Sequence, residues 1–134
     1  MGMLSLAVGV IRLSKETILS VEEITFDRTI DCKTYQYKEG FDGVRVTTDQ
    51  HVYEAGISND QNCCEYWGYT INEDKDAQTY VGATLIEVKS DGTFTNFETD
   101  RGTLNFTCYN EHNGYYSHAC VLSKDGVVIE SDYL

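Results

Sequence analysis

Apolar and polar residues alternate with the two-residue period of a half-buried strand along most of this chain. Val21-Glu22-Glu23-Ile24-Thr25-Phe26 sets apolar positions between polar breaks, and Thr34-Tyr35-Gln36-Tyr37 alternates more cleanly. Residues 44–48 and 51–55 flank Asp49-Gln50, the spacing of a tight hairpin. Residues 84–88 and 94–98 follow the same pattern around a turn at Ser90-Asp91-Gly92. Asp100-Arg101-Gly102 leads into a run at 103–109, and runs at 115–122 and 127–129 surround Lys124-Asp125-Gly126, another turn signal. Residues 4–13 are apolar but too few to span a bilayer, and Arg12 interrupts them, so they predict a buried strand. Helical signals are sparse. Asn72 as a cap, acids in the first turn and Gly82 as a stop predict two or three turns over 72–81, and residues 14–20 could add one more.

The predicted fold is mainly β, bordering on α+β: an antiparallel sandwich or rolled sheet with one short helix near 72–81, in a single domain over 1–134. The absence of proline agrees with this, because a central strand needs every backbone N–H.

Charge narrows the classes of function. The chain carries 22 acidic against 10 basic residues, a formal net charge of −12. Glu65, Glu73, Asp74, Asp76, Glu87, Asp91, Glu98 and Asp100 lie within residues 61–100, with only Lys75 and Lys89 as bases. Such a field repels nucleic acid and anionic membranes and attracts basic surfaces. The same acids also serve plain solubility, and those near residue 73 suit a helix start.

Two polar, aromatic segments stand apart from the strand pattern. One runs from Asp60 through Cys63-Cys64-Glu65-Tyr66-Trp67, and the other is Asn110-Glu111-His112-Asn113-Gly114-Tyr115-Tyr116-Ser117-His118. Adjacent cysteines point to opposite faces of a strand, and the five residues between His112 and His118 read as a turn, so no metal site is expected. Cys64 or Cys120 could meet His112 or His118 in a nucleophilic pair, but five Cys and three His offer such combinations by chance. A negative field would also hold the thiol protonated. No phosphate-cradling glycine motif occurs, and no enzyme or cofactor is expected. Five cysteines, an odd number, and no basic leader before the first apolar run suggest reduced thiols in a cytoplasm.

Asp60-x-x-Cys63-Cys64-Glu65, an acidic stretch ending in Gly82-x-x-Leu85-Ile86-Glu87, Thr99-Asp100-x-Gly102 and Asn113-Gly114-Tyr115-Tyr116-Ser117 follow one another in order. With Leu13-Ser14-Lys15-Glu16-Thr17-Ile18 at the start, this set resembles a family of small uncharacterised proteins of phages, prophages and some bacterial hosts, over residues 13–122. Tyr66-Trp67-Gly68-Tyr69 and the tail beyond Leu122 depart from that pattern. The resemblance implies a setting rather than a chemistry.

Taken together, these features predict a small acidic binding protein, not an enzyme, acting in a host cytoplasm. It would inhibit a basic, nucleic-acid-binding host defence protein as a DNA mimic or anti-CRISPR-like inhibitor does. Its partner surface would comprise Glu65, Trp67, Tyr69, Glu73, Asp74, Asp76, Glu87, Asp91, Glu98 and Asp100. Direct nucleic-acid or membrane binding is not expected, whereas a homo-oligomer is compatible with the sequence. A rival reading places a nucleotide immune signal in a pocket of Cys64, Arg101, His112, Asn113, Tyr115 and Tyr116. Another makes the chain a virion structural or assembly protein.

Overall fold

The structure, a computed structural model, describes residues 9–31, 34–60, 66–72, 76–111 and 118–134. Among the described residues nine strands form one antiparallel sheet: β1 (Gly9–Asp31), β2 (Gln36–Thr48), β3 (Val52–Ser58), β4 (Tyr66–Ile71), β5 (Thr84–Ser90), β6 (Phe94–Thr99), β7 (Gly102–Glu111), β8 (Ala119–Lys124) and β9 (Val127–Tyr133). Their spatial order is β4-β7-β6-β5-β1-β2-β3-β8-β9, so β4 and β9 are the edges and the sheet is open.

The centre of the architecture is β1, 23 residues long. Its first part pairs with β5 from Gly9↔Ser90 to Thr17↔Thr84. Its second pairs with β2 from Ile18↔Thr48 to Asp31↔Gln36. Irregularities between Arg12 and Glu16, and between Ile18 and Ser20, mark the changeover, where Lys15 adopts φ 50°. Bulges of this kind bend a strand and sharpen its twist. The bend folds the sheet into two layers, one of β4-β7-β6-β5 and one of β2-β3-β8-β9, with β1 common to both.

The layers enclose the main core. Val44, Val46, Tyr53, Ala55, Ile57 and Leu122 face Leu85, Val88, Phe97, Leu104 and Phe106. The second layer buries its other face as well. Phe26, Ile30, Phe41, Ala119 and Val121 form a smaller cluster there, with Phe26 stacked on Phe41 at 5.5 Å between centroids. Strong curl explains this second cluster. The Nε of Arg28, on β1, donates to the Ser123 hydroxyl on β8 at 3.3 Å, although β2 and β3 lie between those strands in the sheet. Gly56 permits the curl: a Cβ there would come within 2.9 Å of the Phe26 ring.

Three expectations change. Residues 14–20 are extended strand within β1, because their backbone is taken by β5 and β2. Tyr66–Ile71, unread as a strand in the sequence, forms β4 along β7. Of the helix expected over 72–81, residues 73–75 lie outside the described residues, and the described ones form one 3-10 turn, Ala77–Tyr80. Asn72 does not cap it: its Nδ2 donates to the Tyr80 hydroxyl and to the Thr103 carbonyl, and its Oδ1 accepts from the Asn105 N–H. That anchoring holds Asn72 beside β7, and Asp76 becomes the cap instead, accepting from the Gln78 N–H at 3.0 Å. Little chain is then left to wind before Gly82, whose φ is 91°.

The expected hairpins are present. Thr47 pairs with Val52 across Asp49-Gln50. At the β8–β9 turn Asp125 and Gly126 both take left-handed backbone, φ 52° and 86°, as a primed hairpin turn requires.

Candidate functional site

Where the two layers part, between the middle of β1 and the segment from β4 to the 3-10 turn, a groove opens. Val21, Val44, Ile71 and Ala77 supply its apolar surface, and Glu22, Glu23, Asp76, Asn72 and Gln78 its polar one; the hollow measures about 290 Å³. Glu23 also belongs to an adjoining hollow of about 340 Å³, lined by Ile24, Thr25, Asp42 and Tyr69. The alternation of β1 turns Val21 and Glu23 to the groove, whereas Glu22 borders it with its carboxylate projecting from the other face toward Arg45. Gln78 fixes the end of the groove by donating from Nε2 to the Val21 carbonyl at 2.6 Å.

The carboxylates differ in how they are held. Glu23 accepts from the Tyr69 hydroxyl at 2.5 Å. Burial, and then that carboxylate, push the Tyr69 phenol well above its ordinary range. Asp42 accepts from the Thr25 hydroxyl at 3.1 Å and from Asn59 Nδ2 at 3.0 Å. Glu22 is half exposed and lies 3.9 Å from Arg45 Nη1. Arg45 itself is bound more closely by buried Glu54, at 2.8 Å. The groove therefore presents an excess of carboxylate above an apolar floor.

The residues singled out in the sequence divide among several places. Tyr69 and Asp76 belong to the groove. Trp67 is half-buried and stacks on His118 rather than standing outward. Glu87 and Glu98 pair across β5 and β6 and hold Lys89 Nζ at 3.5 and 3.1 Å, which raises that amine. Asp91 closes the β5–β6 turn, its Oδ1 accepting from the Thr93 N–H and hydroxyl and the Phe94 N–H. Asp100 accepts from the Thr84 N–H at 3.0 Å. Arg101 donates from Nη1 to the Thr79 and Val81 carbonyls, closing the end of the 3-10 turn. Glu65, Glu73, Asp74, Cys64, His112, Asn113, Tyr115 and Tyr116 lie outside the described residues.

Glu22, Glu23 and Asp42 were missed in the sequence. Their one signal was the doubled Glu22-Glu23 inside an otherwise alternating strand, which puts a carboxylate on each face of β1. Two buried acids were missed as well. Glu16 accepts from the Thr48 hydroxyl at 2.6 Å and from the Tyr53 hydroxyl at 3.3 Å, while Glu54 binds Arg28 and Arg45. Among the described residues no cluster of His, Cys, Asp and Glu is arranged to hold a metal ion, and no helix is long and apolar enough to cross a membrane.

The fold and groove define a small all-antiparallel β-protein with an acid-lined cleft at the mouth of a rolled sheet. The chain belongs to the family described as a domain of unknown function, DUF7448, whose model matches residues 13–122. No curated protein and no solved structure matches it.

Proposed function

We propose that the protein is a non-enzymatic binding module that takes a basic segment of a partner protein into this groove. The observation that carries the reading is the combination of an apolar floor (Val21, Val44, Ile71, Ala77) with carboxylates beside it (Glu23, Asp76). Lysine and arginine side chains need that combination: the methylene stem lies on apolar surface while the cationic head reaches an acid. The net charge of −12 adds long-range attraction for a basic partner and repels nucleic acid. In its specific form, the partner is a nucleic-acid-binding protein of a host's defence, inhibited because its basic surface is occupied. The acidity of the chain and the accessible groove support this form.

The test is a calorimetric titration of an arginine-rich peptide into the intact protein at low and at high salt. The E23Q/D76N variant should bind roughly tenfold or more weakly, since each lost charge-assisted contact is worth about 1.5–3 kcal/mol. An E87Q/E98Q variant should bind as the wild type does. Equal binding by the groove variant, or loss confined to the E87Q/E98Q control, defeats the proposal.

A further inference from the structure

Two cysteines from opposite layers meet inside the main core. Cys108 lies on β7, paired with Tyr69 of β4, and Cys120 lies on β8, paired with Ile57 of β3. Both side chains are buried and both thiols are free. The Sγ of Cys108 lies 3.9 Å from the carbonyl oxygen of Gly56, the residue next to Ile57. The Sγ of Cys120 lies 3.9 Å from the His118 carbonyl oxygen, and both cysteines belong to the one cluster of buried side chains between the layers. The neighbouring Cys120, followed by burial, pushes the Cys108 thiol far above the ordinary range. Little thiolate forms in the closed molecule, so the pair is slow to react until the core opens.

We propose that Cys108 and Cys120 constitute a disulfide site that joins the two layers of the rolled sheet when the chain meets a disulfide oxidant such as oxidised glutathione. One thiol, deprotonated as the core opens, attacks a sulfur of the oxidant, forming a mixed disulfide and releasing one glutathione thiolate. The second protein thiol, after losing its proton, attacks the protein sulfur of the mixed disulfide and releases the second glutathione. Two electrons and two protons leave the cysteine pair, and two molecules of reduced glutathione result. The new bond runs from β7 to β8 and closes a ring over residues 108–120, which includes the aromatic run Asn113-Gly114-Tyr115-Tyr116-Ser117. Oxidation would bind together the layers that share β1, and would fix both ends of that run.

The experiment uses the full chain, refolded either with oxidised glutathione or with a non-thiol reductant, then denatured, alkylated, digested and mapped by mass spectrometry. The oxidised sample should yield a peptide pair linking Cys108 to Cys120, and its Tm should exceed that of the reduced sample by about 5 °C or more. C120A should retain the circular dichroism of the reduced fold and lose the oxidation-dependent rise in Tm. If C120A does not fold, the wild-type peptide map decides alone. Complete alkylation of Cys108 and Cys120 after oxidative refolding overturns the proposal. So does linkage of either one to Cys32, Cys63 or Cys64, or a Cys108–Cys120 bond that lowers Tm.

Discussion

The indole of Trp67 stacks on the imidazole of His118, with ring centroids 5.0 Å apart and planes 28° from parallel. His118 is buried, its Nδ1 lies 2.8 Å from the Ser58 carbonyl oxygen, and its backbone exchanges hydrogen bonds with Leu134. The stack therefore connects edge strand β4 to β3 and to the chain end. Replacing Trp67 by alanine should lower unfolding free energy by about 2–3 kcal/mol, below the range for a fully buried tryptophan because this ring is half-buried. Phenylalanine should restore much of that loss in urea unfolding. Unchanged stability in W67A would mark the ring as a free surface anchor.

Glu54 is buried and holds two guanidinium groups, those of Arg28 and Arg45. Burial, and then the charge of Arg45, lower the Arg28 pKa from its ordinary value. Removing the shared carboxylate in E54A leaves two cations facing each other and should cost about 3–5 kcal/mol. R45A should cost about 1 kcal/mol or less, because Arg45 is more than a third exposed and water screens its pair. Denaturant unfolding of the two variants checks the order.

Stability should also decline at high pH. Burial raises the Tyr53 phenol first, and the neighbouring Glu16 carboxylate raises it further. Burial and Glu23 do the same for Tyr69. An unfolded tyrosine ionises near pH 10. Above that value the unfolded chain gives up protons that the folded one keeps, so stability is fully present below about pH 10 and falls as pH rises through the higher folded values. Melting curves at several pH values above about 9 should show the decline, and Y53F should make it shallower. A flat Tm over that range would contradict the assignment.

Two glycines in left-handed backbone separate strain from collision. Gly126 has φ 86° and open space around it, whereas Gly92 has φ 98° and a Cβ there would stand 2.7 Å from the Asp132 nitrogen. G126A should cost about 1–2 kcal/mol from backbone conformation alone. G92A should cost more, because the β5–β6 turn would be forced away from β9. Thermal unfolding of both variants measures the difference.

Strand positions were legible because their alternation survives in one dimension, and turns such as Asp125-Gly126 because their backbone demands particular residues. What could not be read depends on partners far away in the chain. Asn72 looks like a helix cap until Thr103 and Asn105 engage its side chain. Tyr66–Ile71 is rich in strand-forming side chains but lacks a clean apolar–polar alternation and is interrupted by Gly68, and β7 supplies its ladder. The density of acids along residues 61–100 suggested one continuous face. Their described members close turns, cap a 3-10 segment or flank Lys89, while Glu23 and Asp42 come together through the β1–β2 pairing.

Because β1 is shared, the two layers cannot assemble as separate units. Gly9 must find Ser90, and Asp31 must find Gln36, on the same continuous strand. Long closures of this kind slow folding, since loop entropy is lost before the contacts that offset it are made. The chain should therefore fold slowly, on the millisecond-to-second scale of non-local β topologies, and in a single cooperative step. Neither the segment ahead of β4 nor the one behind it should persist alone. A slip of one residue in β1 would turn apolar side chains outward in both layers at once.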